Sequence, residues 1–110
     1  MKHPDPRLVT YRDLLLAAPV SATSIRDPGR AWDVHVEDAL VALPLVDRLA
    51  PRRILDVGSG GGSPGLPVAI ATGIPVDLLE ATGPKCVFLL SSKPASINSS
   101  IVCLSSRCPL

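Results

Sequence analysis

Residues 54–65 read Ile54-Leu55-Asp56-Val57-Gly58-Ser59-Gly60-Gly61-Gly62-Ser63-Pro64-Gly65. A short apolar run passes directly into four glycines within five positions, which predicts a strand entering a tight turn. Beyond it, Leu66 to Thr72 reads as a helix, with Pro64 and Pro67 confined to its first turn, where proline costs little. Gly73 is a stop signal, and Pro75 to Glu80 (PVDLLE) reads as a second strand. Gly83-Pro84 opens another helix at Lys85. Strand, glycine turn, helix and strand make a βαβ unit with a right-handed crossover. Its strands run parallel and need helices on both faces.

Upstream, Asp5-Pro6 starts a helix, because Asp caps and Pro suits the first turn. Leu8, Tyr11, Leu15 and Ala18 fall on one helical face, and Pro19 ends it. Ser21 to Arg30 has loop chemistry, with Asp27-Pro28-Gly29 as a turn. A second helix is expected over Ala31 to Ala50, with Trp32, Val36, Ala39, Leu40 and Leu43 inward and a kink or split at Pro44. Leu14 to Ala22 (LLLAAPVSA) superficially resembles a secretory core, yet it is short and abuts Arg12 and Asp13, so no signal peptide is expected.

Downstream of about Leu90 the pattern fails. Residues 91–110 (SSKPASINSSIVCLSSRCPL) hold seven serines, no acid and no glycine. Ile101 to Leu104 could form a stub of strand, but nothing specifies its partner. This segment is expected to be a disordered tail outside the fold, as if translated from a different frame. The organisation expected is thus 1–52 helical, 53–90 a partial cofactor-binding unit and 91–110 an atypical tail.

The 110 residues are 46% hydrophobic and 19% charged, with a formal net charge of +1. That is one domain at most, too apolar for disorder throughout. No apolar run approaches the ~18 residues of a membrane-spanning helix, so no membrane role is expected. A near-neutral chain gives no electrostatic case for nucleic acid. The net charge conceals two unlike pieces: residues 1–80 carry eight basic and ten acidic side chains, residues 81–110 three basic and none acidic. Cys86, Cys103 and Cys108 fit neither a disulfide framework nor a zinc spacing, which leaves free thiols in a cytoplasmic protein and no metal.

Gly60-x-Gly62-x-x-Gly65 formally matches the dinucleotide fingerprint, and Gly58-x-Gly60-x-Gly62 overlaps it. Such a turn lets backbone approach a ligand closely. Glu80 ends the second strand 22 residues after Gly58, where an acid accepts hydrogen bonds from ribose hydroxyls. Asp56 bears on which nucleoside cofactor is meant. A carboxylate there repels pyrophosphate but stabilises the sulfonium and ammonium of S-adenosylmethionine. The competing reading is an ordinary tight turn with Asp56 solvated. Four glycines in five positions argue against it, because such a turn is entropically costly unless close approach is needed.

LDVGSGGGSPGLPVAIA resembles the cofactor loop of the bacterial small-subunit ribosomal RNA 7-methylguanosine methyltransferases, the RsmG or GidB family. TSIRDPGRAWDVHVEDALVALPLV and LLEATGPKCVFL are similar to that family's flanking segments, so the resemblance covers about residues 8–90. It implies an α/β fold: N-terminal helices plus the first βαβ unit of a Rossmann-like S-adenosylmethionine-dependent methyltransferase, with an incomplete sheet. It also implies methylation of a guanine in 16S ribosomal RNA on the small ribosomal subunit. Cofactor positions carried over are Gly58, Ser63 and Glu80, beside Asp56, Gly60 and Gly62 from the loop itself. Ser63 departs from the family, which usually has an aromatic or large apolar residue there.

Arg26, His35, Asp38 and Lys85 resemble polar positions at the family's RNA-facing end. His35 and Asp38, three apart on a helix, would share a face, though a solvated helix pair accounts for them equally well. Lys85 near a helix start is unfavourable for the dipole, which hints at a ligand or phosphate. Arg52 and Arg53 read more simply as plain surface than as phosphate contacts. Transfer to the guanine imidazole nitrogen needs no general base, so the lack of a catalytic dyad does not argue against an enzyme. With two strands where a doubly wound sheet has five or more, a truncated and impaired member is the leading expectation. The alternatives are a small non-enzymatic α/β nucleotide-binding or interaction module and, disfavoured by Asp56, a dinucleotide-dependent reductase fragment.

Overall fold

The computed structural model describes residues 5–18 and 22–104. Helix α1 (Pro6–Ala17) begins where Asp5 caps it, the carboxylate accepting from the Arg7 N–H at 2.8 Å. Its face of Leu8, Tyr11 and Leu15 is buried, each leucine contributing about 1.5–3 kcal/mol. Pro19, the expected stop, lies outside the described residues.

The second helical segment begins earlier than its sequence suggests. Asp27-Pro28 is a cap followed by a first helical residue rather than a turn, because the Asp27 side chain accepts from the Arg30 N–H at 2.8 Å. Helix α2 (Pro28–Trp32) passes through a π-helical stretch at Asp33–Glu37 into α3 (Asp38–Leu40). Helix α4 (Leu43–Leu49) then starts afresh, with Pro44 in its first turn, so the segment is split rather than kinked. Val36, Ala39 and Leu40 are buried, whereas Trp32 and Leu43 are only partly covered.

Strand β1 (Ile54–Val57) leads through the glycine turn to α5 (Gly65–Thr72), then to β2 (Val76–Glu80) and α6 (Gly83–Ser92). The two strands pair in parallel, Ile54 opposite Val76 and Asp56 opposite Leu78. Residues 93–104 correct the expectation of a disordered tail. They return along the sheet and supply β3 (Ile101–Cys103), parallel to β2 with Leu78 opposite Ile101. The order is β1-β2-β3. Ile97 enters the core, and buried Ser99 accepts from the Val76 N–H through its hydroxyl. Arg7 of α1 donates to Ser96. The Ser99 hydroxyl and the Ser100 carbonyl, which accepts from the Leu78 N–H at 2.8 Å, thus satisfy donors of β2. Residues 105–110 lie outside the described part.

The cysteine reading is corrected as well. Cys86 on α6 and Cys103 on β3 form a disulfide, their Cα atoms 6.0 Å apart. Packing α6 over β3 brings them within bridging range, which spacing alone could not show. Cys108 is not among the described residues.

Paired residues share a face, so Ile54, Asp56, Val76, Leu78, Glu80, Ile101 and Cys103 look toward the helices. On that side Leu8, Tyr11, Leu15, Leu66, Ile70, Leu78 and Leu89 form one core. Leu55, Val57, Val102 and Leu104 lie on the opposite face and are exposed. No helix among the described residues is long and apolar enough to cross a membrane.

Candidate cofactor-binding site

The glycine turn sits where β1 ends beside the end of β2. Gly58 and Ser59 donate backbone N–H groups to the Leu79 carbonyl, at 2.8 and 3.1 Å, so the turn is anchored to the neighbouring strand. Ser59 is buried, and its hydroxyl donates to the Asp56 carbonyl at 2.9 Å. Glu80 reaches back from the end of β2. Its Oε1 accepts from the Gly60 N–H and its Oε2 from the Thr82 N–H, both at 2.7 Å.

The glycines divide into two groups. At Gly58, with φ of +72°, a Cβ would meet nothing within 4 Å, and at Gly60, with φ of +57°, only the Gly58 carbonyl at 3.9 Å. These two present backbone to open space, as close approach by a ligand requires. Gly62, expected to face the cofactor, is instead buried. A Cβ there would meet Leu66 at 2.7 Å and Leu89 at 3.1 Å, so it is small because the core presses on it. Gly65 is likewise closed off, by Leu78 and by Asp56 Oδ2 at 2.6 Å.

Asp56 is half-buried beneath the turn, and its Oδ2 accepts from the Gly65 N–H at 3.0 Å. Burial pushes its carboxyl above the usual aspartate value; the Gly65 and Ser59 hydrogen bonds oppose this, and the Glu80 charge adds to it. For Glu80, burial pushes upward too, but the Thr82 and Gly60 N–H groups and the Lys85 charge outweigh it and hold the group below the ordinary glutamate value. Two carboxylates that repel one another across one turn make an electrostatically poor place for pyrophosphate and a good one for a cation. Glu80 is itself buried, and each of its carboxylate oxygens keeps a further lone pair.

Ser63 is committed elsewhere: its hydroxyl donates to the His35 carbonyl at 2.9 Å, tying the turn to the N-terminal segment. The His35 side chain does not meet Asp38. Its Nε2 pairs with buried Thr23 at 2.9 Å, while Asp38 is exposed. Burial holds the imidazole below its ordinary value, so it is neutral near pH 7. Arg26 is exposed and Lys85 half-buried, and among the described residues no hydrogen bond or ion pair joins Arg26, His35 and Lys85. Arg53 pairs with Asp77 at 2.6 Å on the sheet surface, which accounts for it without a phosphate. No group of three or more potential metal ligands occurs among the described residues. Sequence reasoning missed the role of Tyr11, which had read only as a core position; its hydroxyl donates to the Gly61 carbonyl at 2.6 Å.

The family model described as GidB, rRNA small subunit methyltransferase G, matches residues 6–108. The chain belongs to the GidB family. That match includes β3 and residues 91–108. Among curated relatives, the ribosomal RNA small subunit methyltransferase G of Sorangium cellulosum (strain So ce56) is 46% identical over 87 residues, covering 77% of this chain and 34% of the relative. The protein of the same name from Gluconobacter oxydans (strain 621H) is 44% identical over 85 residues, 76% of this chain and 43% of the relative. That of Granulibacter bethesdensis is 40% identical over 92 residues, 82% of this chain and 43% of the relative. The chain thus spans about a third to two fifths of the length of these GidB relatives. No solved structure matches it. The fold is a three-stranded, parallel, partial Rossmann-like methyltransferase unit.

Proposed function

We propose that this chain supplies the cofactor-binding part of an S-adenosylmethionine-dependent methyltransferase that modifies the N7 of a guanine in 16S ribosomal RNA, in the cytoplasm. The supporting observation is the placement of Asp56 and Glu80 on either side of a turn open at Gly58 and Gly60. Gly58 and Gly60 allow approach, Glu80 takes the ribose hydroxyls, and the paired negative charge favours a sulfonium and an ammonium. Gly62 and Ser63 act indirectly, by packing the turn and tethering it. When bound, S-adenosylmethionine supplies an activated methyl group on sulfur. Guanine N7 carries a lone pair, so the protein need only align it and exclude water. Arg26 and Lys85 are the candidate phosphate contacts, while neutral His35 serves to hold the Thr23 region against the turn.

The 110 residues alone are proposed to bind the cofactor without turnover. The outer edge of β1 has no partner among the described residues, and Leu55 and Val57 beside it are exposed, so the sheet is open on that side. Calorimetry on the chain should show saturable binding of S-adenosylmethionine, loss of it in Glu80→Ala, and no binding of NAD. Binding of NAD with no heat from S-adenosylmethionine would overturn the cofactor assignment. Methyl transfer to small-subunit RNA by these residues alone would refute binding without turnover.

A further inference from the structure

We infer that Tyr11 is the positioning residue of the glycine turn, holding it in the open form that a cofactor would meet; this rests on the cofactor reading above. Tyr11 lies at the centre of α1, 50 residues away in sequence, and is 1% exposed. A buried phenol costs free energy unless its hydroxyl is paired, and a phenylalanine would fill the same space without that demand. The hydroxyl meets it at the Gly61 carbonyl, 2.6 Å away. That bond fixes the plane of the Gly61–Gly62 peptide between the two open glycines and the packed ones.

Two further contacts come from the same N-terminal segment. A Cβ on Gly61 would meet the Ala22 carbonyl at 2.8 Å and Leu15 Cδ2 at 3.1 Å, so α1 and the residues after it press on the turn from one side. Ser63 donates to the His35 carbonyl, a further tie to that segment. The helical segment before β1 therefore clamps the turn against the sheet, while the Gly60–Glu80 bond pulls from the opposite end. Tyr11 is the side chain that reaches the middle. Burial, with Asp56 adding a smaller push, raises its ionisation well above the ordinary tyrosine value, so the hydroxyl stays a donor at physiological pH.

Tyr11→Phe in the 110-residue chain removes the donor and keeps the ring. Amide hydrogen exchange followed by NMR at Gly60, bonded to the Glu80 carboxylate, and at Gly62, bonded to the Ser59 carbonyl, should accelerate about five- to tenfold, with Val76 and Leu78 on β2 unchanged. The dissociation constant for S-adenosylmethionine should rise by a similar factor. Leu8→Ala, buried on the same helix, is the comparison for a merely structural effect: it should lower the melting temperature and speed turn and strand amides together. Unchanged turn exchange in Tyr11→Phe, or the uniform pattern of Leu8→Ala, would overturn the inference. If the unsubstituted chain binds no S-adenosylmethionine but the turn amides still respond selectively, the positioning role stands and the cofactor reading falls.

Discussion

Gly58 and Gly73 form a matched pair within one molecule. Their φ angles are +72° and +73°, and a Cβ at either would meet nothing within 4 Å. Gly58 opens the turn, whereas Gly73 closes α5 with its N–H on the Ala69 carbonyl. Alanine at either site pays for a left-handed backbone, about 1–2 kcal/mol. For a domain near this size that is a fall of about 5–15 °C in melting temperature. Neither substitution clashes with the free protein, so the two variants should melt together. They should part on ligand. A methyl at Gly58 occupies the space a cofactor would cross, and overpacking of that kind costs about 1–3 kcal/mol, a loss of tenfold or more in affinity over most of that range. Melting curves and titration calorimetry with S-adenosylmethionine give both quantities from the same samples. Equal affinities in Gly58→Ala and Gly73→Ala would refute the reasoning, because backbone strain alone would then account for both. Gly60→Val, at the other open glycine, should abolish binding.

Glu80 lies below its ordinary value in the folded chain, so its stabilisation is fully present above about pH 4.5 and is lost as pH falls through the folded value. Glu80→Gln should therefore be less stable than the parent at pH 7 and lose less between pH 5 and 3, as seen in melting curves across that range; Asp56, shifted upward, opposes this and should not be mutated in the same chain. Breaking the Cys86–Cys103 bridge, 17 residues apart, should cost roughly 3 kcal/mol. A dithiol reductant should lower the melting temperature of the parent and leave Cys103→Ser unaffected; equal responses would show that the bridge does not form in solution. Leu78→Ala, fully buried under α5, should cost about 2–5 kcal/mol, whereas Leu55→Thr on the exposed face should stay within about 0.5 kcal/mol in denaturant titrations.

The turn and its two flanking strands were legible because their signals are local. Glycine spacing, Gly73 and the apolar runs at Ile54 and Val76 specify backbone conformation within a few residues. The same holds for α1, whose cap and buried face follow from Asp5 and the spacing of Leu8, Tyr11 and Leu15. The Asp27 cap was misread because the Asp-Pro-Gly chemistry of a turn is also that of a helix start. Ile97, Ser99 and the 101–103 strand were illegible because a three-residue strand carries no usable period, and its partner is chosen by packing.

Sequence alone determined a βαβ unit with a glycine turn, an acid at each strand and the family those residues resemble. Tertiary structure decided which glycines face open space, that Ser63 and Tyr11 tie the turn to the N-terminal helices, and that Cys86 meets Cys103. The division follows from range. Backbone preference is a property of neighbouring residues, whereas the direction of a Cβ vector and the partner of a buried hydroxyl exist only once distant segments have packed.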